Sequence, residues 1–202
     1  MIKNILIIAF TFLTVNVYAD SPITSTDFYK AYTDMEMVRH AKECGLIAPA
    51  EVEFLRDPLK PIDEKVAIIN AFGWEVDGKD NANKFSNIAY GKPYDSLDLE
   101  YLSANDLFVL GYLKIMDNYN SINTPLYLIN KAGEENPELL KSFTYNIIRS
   151  LVLGQELMNK DFCQVWKVTE KVLDDKSIIM DMKQGAKEII IGYIKEYKSY
   201  CK

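Results

Sequence analysis

The chain has 202 residues, 49% hydrophobic and 26% charged, with 29 acidic residues against 23 basic ones and a formal net charge of −6. That apolar share excludes a disordered polymer, and basic residues scattered among acids exclude the basic surface that a nucleic-acid backbone or an anionic membrane requires. Three cysteines are too few for a disulfide-stapled scaffold, so stability must rest on an ordinary apolar core.

Lys3 and Asn4, an apolar stretch from Ile5 to Val15 and then Val17-Tyr18-Ala19 before Asp20 lay out a secretory signal peptide over residues 1–19. The stretch falls short of the ~20 apolar residues of a bilayer span. The expected product is therefore residues 20–202, exported to the periplasm or the cell surface without a transmembrane segment. Removing the signal takes Lys3 with it and moves the formal charge from −6 to −7.

Apolar residues then recur at helical spacing almost to the end. Ser25 or Thr26 can cap a helix carrying Phe28, Tyr29 and Tyr32, and Met35 to Cys44 reads as a short helix stopped by Gly45. Pro49 opens a segment that ends before Pro58, and Pro61 opens another that runs through Ile68, Ile69 and Phe72 to Gly73. Trp74 to Asn83 reads as a loop, Asn83 to Tyr90 as a short helix broken by Gly91-Lys92-Pro93, and residues 91–102 as a linker and a candidate subdomain junction. Ser103 with Asp106 resembles a capping box before Leu107-Phe108-Val109-Leu110, an apolar run that marks a central helix.

Thr124-Pro125 and Asn136-Pro137 each place a cap before a helix-opening proline, the second starting a long helix with Leu140, Phe143, Ile147, Leu151 and Met158 on one stripe. Phe162 to Val172 and Ala186 to Tyr197 complete the series. The β-branched pairs Ile68-Ile69 and Ile178-Ile179 and the run Ile189-Ile190-Ile191 all sit inside helical periodicity, and no hairpin dipeptide separates alternating runs. The reading is all-α: a single domain of about eight to ten helices packed as antiparallel pairs, in an irregular bundle or a short solenoid-like array.

Cys163 and Cys201 are the favoured disulfide. A single hairpin joining them would turn near Met182-Lys183-Gln184-Gly185, whereas Asp174-Asp175-Lys176-Ser177 is the stronger turn signal. A turn there leaves the arms unequal by about a dozen residues, roughly 18 Å at ~1.5 Å per helical residue, so the chain would have to bend twice.

His40, the one histidine, stands four residues after Glu36 and four before Cys44, which puts the three on one helical face. That spacing suits a metal half-site or a cysteine beside a base. Against it, Gly45 places Cys44 in the last helical turn, where the macrodipole opposes a thiolate, and zinc would want more histidine or cysteine ligands. A structural role for His40 is the expectation. Asp77-Gly78-Lys79-Asp80-Asn81-Ala82-Asn83 concentrates oxygen donors, but its glycine comes too early for a calcium loop and no closing glutamate follows. Asp117-Asn118-Tyr119-Asn120 reads as a helix end entering a turn.

No glycine-rich phosphate loop, nucleophile elbow or paired-cysteine redox motif occurs, and no cofactor is expected. The remaining signals are the aromatic set Tyr90, Tyr94, Tyr101, Tyr112 and Tyr119, of which Tyr90 and Tyr94 flank a turn, and the pair Trp74 and Glu75 in the loop. Tyr90, Tyr94, Trp74 and Glu75 are the candidate partner contacts. They point to an exported, non-enzymatic binding protein that recognises a protein or an envelope component, with a basic partner such as a toxin matched to the acidic chain. The alternative is a carboxylate-dependent hydrolase of envelope polysaccharide, which needs two acids facing across a cleft, Glu75 beside Trp74 being the first to consider.

Overall fold

The computed structural model describes residues 21–158 and 160–202; the expected signal segment, 1–19, lies outside the described residues. These residues form nine α-helices: α1 (Glu36–Cys44), α2 (Pro49–Arg56), α3 (Ile62–Phe72), α4 (Asn81–Tyr90), α5 (Ala104–Asp117), α6 (Asn123–Glu135), α7 (Phe143–Leu157), α8 (Phe162–Asp174) and α9 (Gln184–Ile194). Short 3-10 turns cover Phe28–Tyr32, Tyr94–Ser96, Leu99–Tyr101, Pro137–Lys141 and Lys195–Tyr200. The fold is an all-α bundle, and among the described residues no helix is long and apolar enough to cross a membrane.

The helices start where local chemistry satisfies their free amides. Ser103, Ser142 and Asp161 each accept a hydrogen bond from a first-turn backbone N–H of α5, α7 and α8. Helix α4 takes its cap from elsewhere: the Asp117 carboxylate, at the last turn of α5, accepts the backbone N–H groups of Asn81 at 2.9 Å and Ala82 at 2.8 Å.

Helices α3 and α5 form the centre. Every residue of α3 from Lys65 to Phe72 is buried, and so is every residue of α5 from Asp106 to Leu113. α3 is packed by α1, α2, α5, α7 and the 28–32 turn, and α5 by α2, α4 and α6 as well, which makes the bundle irregular rather than a repeating array. Fully burying a leucine, isoleucine or phenylalanine is worth about 1.5–3 kcal/mol, and one contiguous core runs from Ile23 to Tyr197, including residues on both sides of 91–102. Where α5 meets α6, Gly111 lets the backbones close: a Cβ there would stand 2.8 Å from Ile129 Cγ1 and 3.0 Å from the Pro125 carbonyl oxygen.

Three expected helical stretches take another form. Phe28–Tyr32 is a single 3-10 turn, held because Tyr29 N–H donates to Asn70 Oδ1 at 3.0 Å and Tyr32 O–H donates to Asp63 at 2.8 Å. The helix expected from Pro137 is split: Asn136 caps a 3-10 turn, then Ser142 caps α7 separately, and Leu140 leaves the stripe to stand exposed. Ile178-Ile179 is not helical. It lies in the extended link between α8 and α9, where Ile179 pairs with the start of α7 through Phe143 N–H to Ile179 O at 3.0 Å and Ile179 N–H to Lys141 O at 2.7 Å.

That link accounts for the C-terminal geometry. α9 starts beside Tyr32, whose hydroxyl accepts Lys183 N–H at 3.1 Å, and the closing 3-10 turn packs back on α8. Cys163 and Cys201 are thereby joined in a disulfide with Cα atoms 4.8 Å apart, closing a span of 38 residues. A loop of that length restrains the unfolded chain by up to ~4 kcal/mol. The double variant Cys163→Ser/Cys201→Ser is expected to lower the unfolding free energy by about 2–4 kcal/mol in urea titration. Gly111→Ala, which forces α5 away from α6, is expected to cost about 1–3 kcal/mol in the same measurement.

Candidate functional site

A polar cluster gathers at the N-terminus of α5. Asp106, buried in the first turn, accepts the Tyr90 hydroxyl of α4, a hydrogen bond from Asn105 Nδ2 at 3.2 Å and the approach of Arg56 Nε from α2 at 3.5 Å. Asn105 Nδ2 also donates to the Leu55 carbonyl at 2.9 Å, and its Oδ1 accepts the ammonium of Lys65 from α3. Arg56 completes the set by lying over the Tyr90 ring, 4.7 Å from its centroid, while donating to Ala89 O at 3.3 Å. A chain of contacts thus runs from Lys65, only 3% exposed, out to a half-exposed guanidinium.

Above this cluster lies a concave surface of about 500 Å³, lined by Arg56, Tyr90, Tyr101, Ser103, Asn105 and Asp106 among others. Tyr101 stands 87% exposed at its edge. Among the described residues that line it, Asp106 is the one carboxylate, and Tyr90 and Arg56 already hold it. Burial first, then the Asp106 carboxylate, holds Tyr90 protonated well above the ordinary tyrosine range. Lys65 is moved the other way: burial depresses its ammonium to about 8, against the opposing pull of Asp57 and Asp106.

Tyr94 occupies the adjoining turn. Its backbone N–H donates to Asn83 Oδ1 at 2.8 Å, and Lys114 of α5 lies over its ring at 4.4 Å. Burial, then Asp95 and Tyr127 of α6, raise its proton affinity. On the same segment Asp95, Asp98 and Glu100 are exposed, Glu100 reaching Lys131 of α6 at 2.9 Å.

Trp74 and Glu75 stand elsewhere, on the α3–α4 link. Trp74 is half-buried and meets Tyr119 edge-on at 5.3 Å, and Glu75 is exposed and pairs with Lys79 at 3.4 Å. The oxygen-rich loop is consumed by structure: Asn81 bridges to Gly45 O at 3.0 Å and Ile47 N at 2.9 Å, and the carbonyl of Lys79 accepts Lys84 Nζ at 2.6 Å. Among the described residues no group of three or more His, Cys, Asp or Glu side chains could hold a metal ion. His40 pairs with Glu51 of α2, not with Glu36 on its own helix.

Sequence reasoning missed Arg56, Lys65, Asn105 and Tyr127. The usable signal was Lys65, a charge directly before the run Val66 to Phe72, whose one polar member is Asn70. Comparison with known protein families, with curated proteins and with solved structures returns no match.

The depressed lysine gives a pH test. The folded state releases the Lys65 proton near pH 8 and the unfolded chain near 10.5, so between these the unfolded state holds more protons and stability rises with pH. From pH 7.5 to 9.5 the wild type is expected to gain roughly 2 kcal/mol relative to Lys65→Met, which lacks the group, in paired denaturant titrations.

Proposed function

We propose that the chain is an exported, non-enzymatic binding protein of the cell envelope, periplasmic or at the cell surface. It grips a protein partner with the face formed by Tyr90, Tyr94, Tyr101 and the acidic segment between them. The observation that carries this reading is Tyr101: an aromatic side chain 87% exposed at the rim of a concave surface, on a segment whose Asp95, Asp98 and Glu100 also face solvent. Tyrosines are rigid, amphipathic contacts that lose little entropy on binding, and those beside a rim of acids favour a partner presenting basic residues. The net charge, −7 once residues 1–19 and Lys3 with them are removed, adds long-range attraction for such a partner. The Asp106 carboxylate of the cleft is engaged by Tyr90 and Arg56, which supports a structural place for it beneath a binding surface. Export rests on the signal layout of residues 1–19.

A photo-crosslinker placed at Tyr101, with a matched one at Ser199 on the closing turn, tests the reading in envelope extract. Position 101 is expected to give a discrete product that weakens as salt shortens the Debye length from ~10 Å toward ~3 Å, and position 199 to give none. Tyr101→Ala is expected to weaken capture about tenfold or more with an unchanged melting temperature. Equal crosslinking at both positions, or indifference to salt, would count against the face.

A further inference from the structure

A second cluster lies on α1, outside the face just described. Cys44 Sγ is 3.3 Å from His40 Nε2, and His40 Nδ1 is 2.6 Å from Glu51 Oε1. The three side chains form a relay from an exposed thiol, through an imidazole 49% exposed, to a carboxylate only 2% exposed. Each member is positioned by the fold. Cys44 and His40 are one helical turn apart on α1, and Glu51 is fixed because its other oxygen accepts the Ala48 backbone N–H at 3.1 Å at the start of α2. A carboxylate only accepts, so the Nδ1 proton belongs to the imidazole and Nε2 is left free to take the proton of the thiol.

The charges around the relay are few. α1 adds Glu36, Glu43, Arg39, which donates to the Thr33 and Asp34 carbonyls at 2.7 and 3.1 Å, and Lys42, whose ammonium lies over Tyr29 at 5.1 Å. From the α3–α4 link, Lys79 lies against Gly45, its ammonium 2.8 Å from where a Cβ on that residue would stand, held by Phe72 O at 2.7 Å. Gly45 allows that approach, and its positive φ of 66° ends α1 directly after Cys44. A cation at this position, shared with the exposed Glu75 at 3.4 Å, offsets part of the negative end of the helix, which is the main physical objection to a thiolate there.

The geometry points to Cys44 as the nucleophile of thiol–disulfide exchange, with His40 as its base and Glu51 as the positioning residue. The thiol proton passes to His40 Nε2, and the thiolate attacks one sulfur of an external disulfide R–S–S–R′. The Cys44–S–S–R bond forms as the original S–S bond breaks, and R′S⁻ leaves with the bonding pair and takes the proton back from the imidazolium. Exchange at sulfur builds no oxyanion and needs no enclosing donors, which suits a thiol on an open helix surface. Acyl transfer would require such donors. Because Cys44 stands exposed, the substrate class is a solvent-accessible disulfide.

The test is the rate of reaction with 4,4′-dithiodipyridine, read by thiopyridone release, with the adduct placed on Cys44 by mass and by its loss in Cys44→Ser. An ordinary thiol is about 3% ionised at pH 7, so complete proton transfer would raise the rate up to ~30-fold, and the lower nucleophilicity of a more stable thiolate trims this to ~10-fold. The wild type is expected to react about tenfold faster than His40→Gln at pH 7 and at the same rate at pH 10, where any thiol is ionised. Glu51→Gln is expected to fall between them. Should that variant unfold by circular dichroism, the half-exposed His40→Gln carries the test alone. Equal rates at pH 7, or a ratio that persists to pH 10, would overturn the assignment. Oxidised glutathione and insulin, offered separately, distinguish a small disulfide from one on a protein surface, and a Cys44 adduct with neither would also overturn it.

Discussion

The whole arrangement depends on the burial of one short helix on all sides. Helix α3 has no solvent face from Lys65 onward, so each polar group in it must find its partner inside the protein. Asn70 does so with three: its side chain accepts Tyr29 N–H and donates to Thr26 O at 3.1 Å and toward the Tyr112 hydroxyl oxygen at 3.4 Å. Lys65 does so through Asn105. Those two demands place the N-terminal segment over one part of α3 and the start of α5 over another. The apolar contacts supply most of the stabilisation, and the polar ones decide which elements lie next to which.

The same demand explains why the candidate recognition face sits where it does. A buried ammonium needs a polar partner, and the partners lead outward through Asn105 and Asp106 to Tyr90 and Arg56. The cleft is the surface end of an interior polar network, so its Asp106 and Tyr90 are held by structure. Tyr101 and the acids beside it face solvent, with Glu100 also shared with Lys131 and Asp98 accepting the Glu100 N–H, so this segment is the accessible side of the face. The Cys44 relay has the opposite character: its thiol is exposed, and only its far end, Glu51, is anchored in the interior.

Much of the helical order was legible because caps and breakers act locally. Pro49, Ser103, Gly45 and Gly91 mark helix ends through their own local chemistry, which needs no knowledge of the fold. The errors came where two local signals competed. Asn136-Pro137 and Ser142 are both starts, their caps six residues apart, and the later one won the α-helix. Ile178-Ile179 suits a helix or an extended strand equally well, and only the edge offered by the start of α7 decides between them. The site was less legible still. Spacing along α1 suggested Glu36 for His40, and nothing local announces that the chain reverses through Leu46 to Ala48 and brings Glu51 to the imidazole instead.

The borrowed cap on α4 has a dynamic consequence. The first amides of that helix are satisfied by Asp117 of α5. The N-terminal turn of α4 therefore cannot keep its hydrogen bonds when the last turn of α5 frays, and the intervening loop is drawn into the same event. Hydrogen exchange at Asn81 and Ala82 would follow the opening of α5 across 35 residues of sequence, so the α4 entrance and the α5 exit behave as a single cooperative unit.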